Sequence, residues 1–179
     1  MPVSDDEGKN IIGEWLTELS PEINHVLDIG CGVGTYFNIF GRQRKHKPLR
    51  HCKWTGIEVW QPYVDEYGLK EKYHELFCED LREFDFSSIE FVDLAFAGDV
   101  LEHVTKEEAI ECINKLFLNC KRLIISIPIV HYPQDEIAGN PYEKHVKDDY
   151  SHEEIMESFP YIQKFWQGDV IGVYYLEKP

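Results

Sequence analysis

Apolar residues recur along the chain with two spacings, one typical of amphipathic helices and the other of buried strands. Over residues 9–19, isoleucine, leucine and tryptophan side chains fall on one helical face. Short apolar runs then predict strands at residues 24–29, 54–60, 74–78, 91–100 and 122–130. Helical patterns separate several of these runs. Residues 161–166 and 169–176, joined by Gln167-Gly168, predict a closing antiparallel pair.

This order of elements predicts an α/β fold, because strands that alternate with helices form a parallel sheet with helices on both faces. We expect residues 1–179 to form a single domain, since that length suffices for one ordinary core. Residues 1–22 would form an N-terminal helical cap that either packs on the sheet or closes over a ligand. Residues 131–150 lack clear periodicity and predict a long polar, aromatic loop, a type of segment that is often functional.

The most informative stretch is residues 26–37, VLDIGCGVGTYF, which predicts a strand, a tight glycine turn and the start of a helix. Glycine has no Cβ and tolerates positive φ, so a ligand can lie against the backbone there. Such a unit usually binds a nucleotide-like ligand at the carboxyl end of its strand. A dinucleotide-binding turn would carry its third glycine where this chain has Thr35. Asp28, just before the turn, would favour a ligand with a positive ammonium group.

Composition and charge narrow the class of protein. The formal net charge is −15, which argues against a broad nucleic-acid-binding surface, although residues 41–53 form a basic run. That run predicts either a contact for an anionic partner or a solvated connection. No apolar run is long enough to span a membrane, and the acidic N-terminus does not resemble a secretory signal. Five cysteines without a CxxC pair make a disulfide framework or structural zinc site unexpected and favour a cytoplasmic location.

The sequence DIGCGVG, Asp28 to Gly34, resembles the signature turn of class I S-adenosylmethionine-dependent methyltransferases. The resemblance implies a Rossmann-like, seven-stranded, mostly parallel sheet with one antiparallel strand near the C-terminus. It also implies that Glu58 binds the ribose hydroxyls and that Asp80-Leu81 contacts adenine. The segment DVLEHV, residues 99–104, resembles the small-molecule branch that includes ubiquinone-biosynthesis enzymes. The cofactor-binding residues implied in this way are Asp28, Gly30, Cys31, Gly32, Gly34, Glu58, Val59, Asp80, Leu81 and Asp99.

The resemblance further implies transfer of the methyl group of S-adenosylmethionine to a small-molecule acceptor at the ends of the fourth and fifth strands. His103, His131 and His145 are the candidate catalytic residues there, as groups able to take a proton or orient the acceptor. The histidine spacing predicts no metal site. Residues 97–100 lack the Pro-Pro-Tyr type of tetrapeptide found in methyltransferases that act on amides and exocyclic amines.

Two other functions stay open on the sequence. The chain could be a non-catalytic module that binds S-adenosylmethionine or S-adenosylhomocysteine within a protein assembly, for which an acidic surface and a basic run are suitable. It could also be an NAD-dependent oxidoreductase, which would bind nicotinamide dinucleotide. Binding measurements with NAD and with S-adenosylhomocysteine distinguish the oxidoreductase from the methyltransferase and the non-catalytic module. Methyl-transfer assays then distinguish the methyltransferase from the non-catalytic module.

Overall fold

The computed structural model describes residues 6–42 and 46–179, so part of the basic run, Arg44 and Lys45, lies outside the described residues. The strands are β1 His25–Ile29, β2 Lys53–Ile57, β3 Glu75–Phe77, β4 Leu94–Gly98, β5 Arg122–Pro128, β6 Ile162–Gln167 and β7 Ile171–Glu177. The α-helices are α1 Lys9–Leu19, α2 Gln61–Glu66, α3 Lys106–Leu116 and α4 His152–Ser158. A turn of π-helix, Phe37–Gly41, completes the helical segment after the glycine turn.

The strands form one sheet in the order β3-β2-β1-β4-β5-β7-β6. The first five are mutually parallel, whereas β7 lies between β5 and β6 and runs antiparallel to both. This arrangement confirms the Rossmann-like prediction, including the antiparallel strand near the C-terminus. The strand order reverses between β1 and β4. In open α/β sheets, ligands bind at such a reversal, in the crevice outside the carboxyl ends of the strands.

Apolar side chains are buried on both faces of the sheet. One cluster includes residues of α3 and α4, and the other includes residues of α1 and α2. Ile12 and Leu16 of α1 are fully buried in the second cluster. The N-terminal helix therefore packs on the sheet, and it contributes none of the described residues that line the cavity below.

Side-chain caps define the starts of two helices. Thr105 accepts a hydrogen bond from the Glu108 backbone N–H while the Glu108 carboxylate accepts one from the Thr105 N–H, which forms a complete capping box. The Ser151 side chain caps α4 by accepting a hydrogen bond from the Glu154 N–H. Over the described residues, every helix is too short or too polar to cross a bilayer.

Candidate functional site

A cavity with a volume of about 230 Å³ opens at the carboxyl ends of β1, β2, β4 and β5. Its walls come from the glycine turn, the ends of the neighbouring strands and the loop 131–150. Eight of the ten predicted cofactor-binding residues line it: Gly30, Cys31, Gly32, Glu58, Val59, Asp80, Leu81 and Asp99. Parallel strands end at one edge of a sheet, and this is why residues far apart in sequence meet here.

The glycine turn forms the part of the wall that is nearly pure backbone. Gly30 and Gly32 have φ of 61° and 52°, a region that side chains other than glycine rarely adopt. A Cβ on Gly30 would lie 2.4 Å from Cγ2 of Val100, whereas a Cβ on Gly32 would meet nothing closer than 3.9 Å. Gly30 therefore lets β1 approach the segment after β4, and Gly32 leaves open space beside the cavity.

We expect Gly30→Ala to destabilise the fold by about 1 to 2 kcal/mol more than Gly139→Ala does. Gly139 is the matched control because it also has positive φ, 78°, but a Cβ there has no heavy atom within 4 Å. Both variants pay the same kind of backbone strain, so the difference isolates the contact with Val100. Urea unfolding measures it, and equal losses in the two variants would contradict the close packing.

Glu58 stands at the end of β2, with its side chain 5% exposed. Its carboxylate accepts hydrogen bonds from the backbone N–H of Gly32 at 2.8 Å and of Trp60 at 2.9 Å. Burial raises the pKa of this carboxyl, and backbone hydrogen bonds from Trp60, Gly32 and Val59 oppose that rise. Glu58 thus ties the glycine turn to β2 and keeps acceptor capacity facing the cavity, which suits the hydroxyls of a ribose.

Asp80 and Leu81 follow β3 and form the next part of the wall. The Asp80 carboxylate is held by the Arg82 guanidinium through contacts of 2.6 Å and 2.9 Å, and these hydrogen bonds lower its pKa. Arg82 also reaches Glu108 at 3.2 Å. The sequence did not predict Arg82 as a site residue, although its position two residues after Asp80 could have suggested the pair.

Asp28 and Gly34 belong to the signature turn but do not line the cavity. Asp28 is buried behind the turn, where the Tyr73 hydroxyl donates a hydrogen bond to it at 2.6 Å and the Phe37 backbone also contributes one. Gly34 faces Lys72. The geometry gives Asp28 a structural role, to connect β1 with the helical segment that follows the turn.

The far end of the cavity carries titratable side chains. His103 and His145 line it, together with Glu102, which the sequence did not single out. His131 does not: it is 71% exposed and faces Asp148, with Nδ1 3.8 Å from the carboxylate. Two of the three predicted catalytic histidines therefore meet at the cavity, and the third points to solvent.

Burial controls the protonation of these groups. It lowers the pKa of the His103 imidazole to about 4 and also lowers that of His145. It raises the pKa of the Glu102 carboxyl well above its usual value, and the nearby Asp99 charge adds to the rise. Both imidazoles are consequently neutral near pH 7 and present lone pairs to the cavity.

The loop 131–150 closes the cavity opposite the glycine turn. It contributes Tyr132, Gln134, Ile137, Asn140, Tyr142 and Glu143 as well as His145. Backbone N–H groups of Val146 and Lys147 both donate to the Glu102 carbonyl, at 2.8 and 3.0 Å, and so fix the loop to the segment after β4. The loop thus lies beside the cavity, and no sequence pattern indicated that Asn140 and Glu143 would line it.

Comparison with known proteins agrees with this geometry. A family model described as a methyltransferase domain matches residues 27–125, more than half of the chain. No curated protein matches the sequence.

Solved structures show the same fold at low sequence identity. The N-terminal domain of EvdMO1 with S-adenosylhomocysteine bound has a TM-score of 0.69 at 12% identity, covering 98% of this chain and 83% of that one. Magnesium protoporphyrin IX methyltransferase from Synechocystis PCC 6803, with bound S-adenosylmethionine, has a TM-score of 0.62 at 18% identity, covering 95% and 77%. The small RNA methyltransferase HEN1 has a TM-score of 0.66 at 15% identity, covering 99% of this chain and 26% of that one.

Proposed function

Because the chain belongs to the methyltransferase-domain family, we propose that it transfers the methyl group of S-adenosylmethionine to a small-molecule acceptor. The observation that carries the proposal is the continuity of the cavity, which joins the glycine turn at one end to Glu102, His103 and His145 at the other. Such a cavity can hold the methyl donor and the acceptor in contact, and alignment of two reactants is the main requirement of this reaction.

The residues at the glycine turn fit S-adenosylmethionine. The buried Glu58 carboxylate retains acceptor capacity for two ribose hydroxyls, and the space beside Gly32 admits a ligand against the backbone. We assign the ribose to Glu58 and Val59, and the adenine to Asp80 and Leu81. When bound, the cofactor supplies a methyl group that is already electrophilic because it is attached to a sulfonium.

The other end of the cavity would receive the acceptor. His103 and His145 present neutral imidazole nitrogens that can accept a hydrogen bond from a hydroxyl or an amine and so orient it. Tyr132 and the remaining lining residues of the loop 131–150 would exclude water and set acceptor preference. The net charge of −15 favours a small molecule over a nucleic acid.

Calorimetry with S-adenosylhomocysteine and NAD, followed by methyl-transfer assays, tests the proposal. We expect one equivalent of S-adenosylhomocysteine to bind and NAD to be rejected, since the third glycine of a dinucleotide turn is replaced by Thr35. Transfer from labelled S-adenosylmethionine should then appear with members of a panel of small hydroxyl and amine acceptors. Transfer only to an RNA oligonucleotide would contradict the small-molecule assignment, and binding without any transfer would favour the non-catalytic module.

A further inference from the structure

Glu102, His103 and His145 converge at the acceptor end of the cavity, with one ligand atom of each lying within 4.8 Å of the others. We propose that these three side chains form a binding site for a divalent transition-metal ion. The histidine spacing predicted no metal site, because His145 belongs to a loop that is distant in sequence from Glu102 and His103. Hydrogen bonds from Val146 and Lys147 to the Glu102 carbonyl bring the loop into place.

On each imidazole, Nδ1 contacts a backbone carbonyl of the loop 131–150. The His103 ring also hydrogen-bonds the Asp99 backbone. His103 Nδ1 lies 3.2 Å from the Lys144 carbonyl, and His145 Nδ1 lies 2.6 Å from the Tyr132 carbonyl. A carbonyl only accepts, so both Nδ1 atoms carry the proton and both Nε2 atoms hold a lone pair. A histidine that binds a metal is typically oriented in this way, by donating its other N–H to a carbonyl oxygen.

The Glu102 carboxyl is an unusual group to bury without a cation. The residue is 2% exposed, its Oε2 has no hydrogen-bond partner among the described residues, and its Oε1 lies 4.0 Å from His145 Nε2. The backbone N–H of Lys147 contacts the Glu102 carbonyl, but the Lys147 ammonium pairs with Asp149 and Glu154. Buried carboxylates are normally paired or coordinate a metal, so an ion between Glu102 and the two Nε2 atoms would satisfy it.

The donor set indicates the class of ion. Two imidazole nitrogens and one carboxylate suit zinc, iron, cobalt or manganese, whereas magnesium and calcium prefer oxygen ligands alone. Three protein ligands leave further coordination positions open, as in catalytic rather than structural sites. These positions would face the cavity, since all three side chains line it. If the proposed function holds, an oxygen atom of the acceptor would complete the site, and the ion would orient the acceptor in place of direct hydrogen bonds to the two imidazoles.

Titration of the intact chain with Zn²⁺, Co²⁺ and Mn²⁺ near pH 7 tests the site directly. We expect one equivalent of at least one ion to bind, and Glu102→Gln and His145→Asn each to lower its affinity by at least about tenfold. His131→Gln is the matched control, because this exposed histidine of the same loop lies outside the cavity, and its affinity should equal that of the wild type. Circular dichroism of each variant checks that it is folded.

The wild-type titration decides the proposal even if a variant does not fold. Absence of binding for all three ions overturns it, as does binding that neither folded variant weakens. Titration with S-adenosylhomocysteine in a chelating buffer keeps the two proposals separate, because cofactor binding does not require the ion. A chain that binds S-adenosylhomocysteine but no metal would refute the metal site alone, and the reverse result would refute the proposed function alone.

Discussion

Replacing Glu58 with glutamine is expected to weaken S-adenosylhomocysteine binding about thirtyfold. The carboxylate accepts two backbone hydrogen bonds, from Gly32 and Trp60, and is assigned the ribose hydroxyls as well. Glutamine keeps the shape, but its amide nitrogen cannot accept, so one of the two backbone N–H groups faces another donor. Loss of hydrogen bonds to a charged group costs about 2 kcal/mol, and 1.4 kcal/mol corresponds to about tenfold in affinity.

Calorimetric titration of Glu58→Gln beside Glu66→Gln measures this effect. Glu66 is the matched control because it is an exposed carboxylate on α2, and its replacement makes the same change in charge outside the cavity. Its affinity should remain that of the wild type. Equal affinities for the two variants would show that Glu58 does not bind the cofactor, and a parallel urea titration would reveal whether the glycine turn has been destabilised instead.

Replacing Asp28 with asparagine is expected to remove a pH-dependent loss of stability of about 4 kcal/mol. Burial raises the pKa of Asp28 from 3.8 to about 7 in the folded protein. Between these values the folded state holds a proton that the unfolded state has released, so ionisation of Asp28 lowers the free energy of unfolding as the pH rises. The stabilising contribution is complete below about pH 4 and is lost by about pH 7. Asparagine does not titrate, so the free energy of unfolding of the variant lacks this dependence on pH.

Urea unfolding of the wild type and of Asp28→Asn across this pH range tests the expectation. The difference in free energy of unfolding between them should grow in favour of the variant as the pH rises. Any constant cost of the substitution, such as a weaker contact with the Phe37 backbone, cancels in that slope. Asp65→Asn, on the surface of α2, is the control and should follow the wild type. Parallel slopes for wild type and Asp28→Asn would contradict the burial of an ionisable carboxyl.

The same variant separates two roles of the signature turn. The sequence predicted a contact between Asp28 and the cofactor, whereas the structure puts its side chain behind the turn and against Tyr73. If Asp28 acts only there, Asp28→Asn binds S-adenosylhomocysteine as the wild type does at a pH where both are fully folded. A large loss of affinity under those conditions would restore the predicted contact.

The fold and the cofactor end of the cavity were predictable because both depend on local patterns. Apolar periodicity defined the strands, and their alternation with helices implied that their carboxyl ends meet. Polar residues placed directly after successive strands, such as Glu58 and Asp80, therefore had to converge. For Asp28 the pattern could not decide, since successive side chains of a strand point to opposite faces and a single position determines whether one meets the cavity or the core.

The acceptor end was less predictable because an irregular loop builds it. No periodicity relates His145 to His103. Their ring centroids lie 4.9 Å apart because the backbone of residues 131–150 folds back over the segment after β4. His131 and His145 belong to the same loop and looked alike in the sequence. The His145 ring is buried and hydrogen-bonds the Tyr132 carbonyl, whereas the His131 ring is exposed and lies beside Asp148. Contacts of this kind depend on the folded backbone, so neither the amino-acid composition nor the spacing of the histidines predicts them.

The attachment of the loop to the Glu102 carbonyl has a consequence for how such proteins diversify. Val146 and Lys147 make that connection with backbone N–H groups, so it does not depend on which side chains the loop carries. The loop can then exchange Tyr132 or Tyr142 for other residues while the glycine turn, at the other end of the cavity, keeps its geometry. Substitutions can thus alter one wall of the cavity and leave the other wall unchanged.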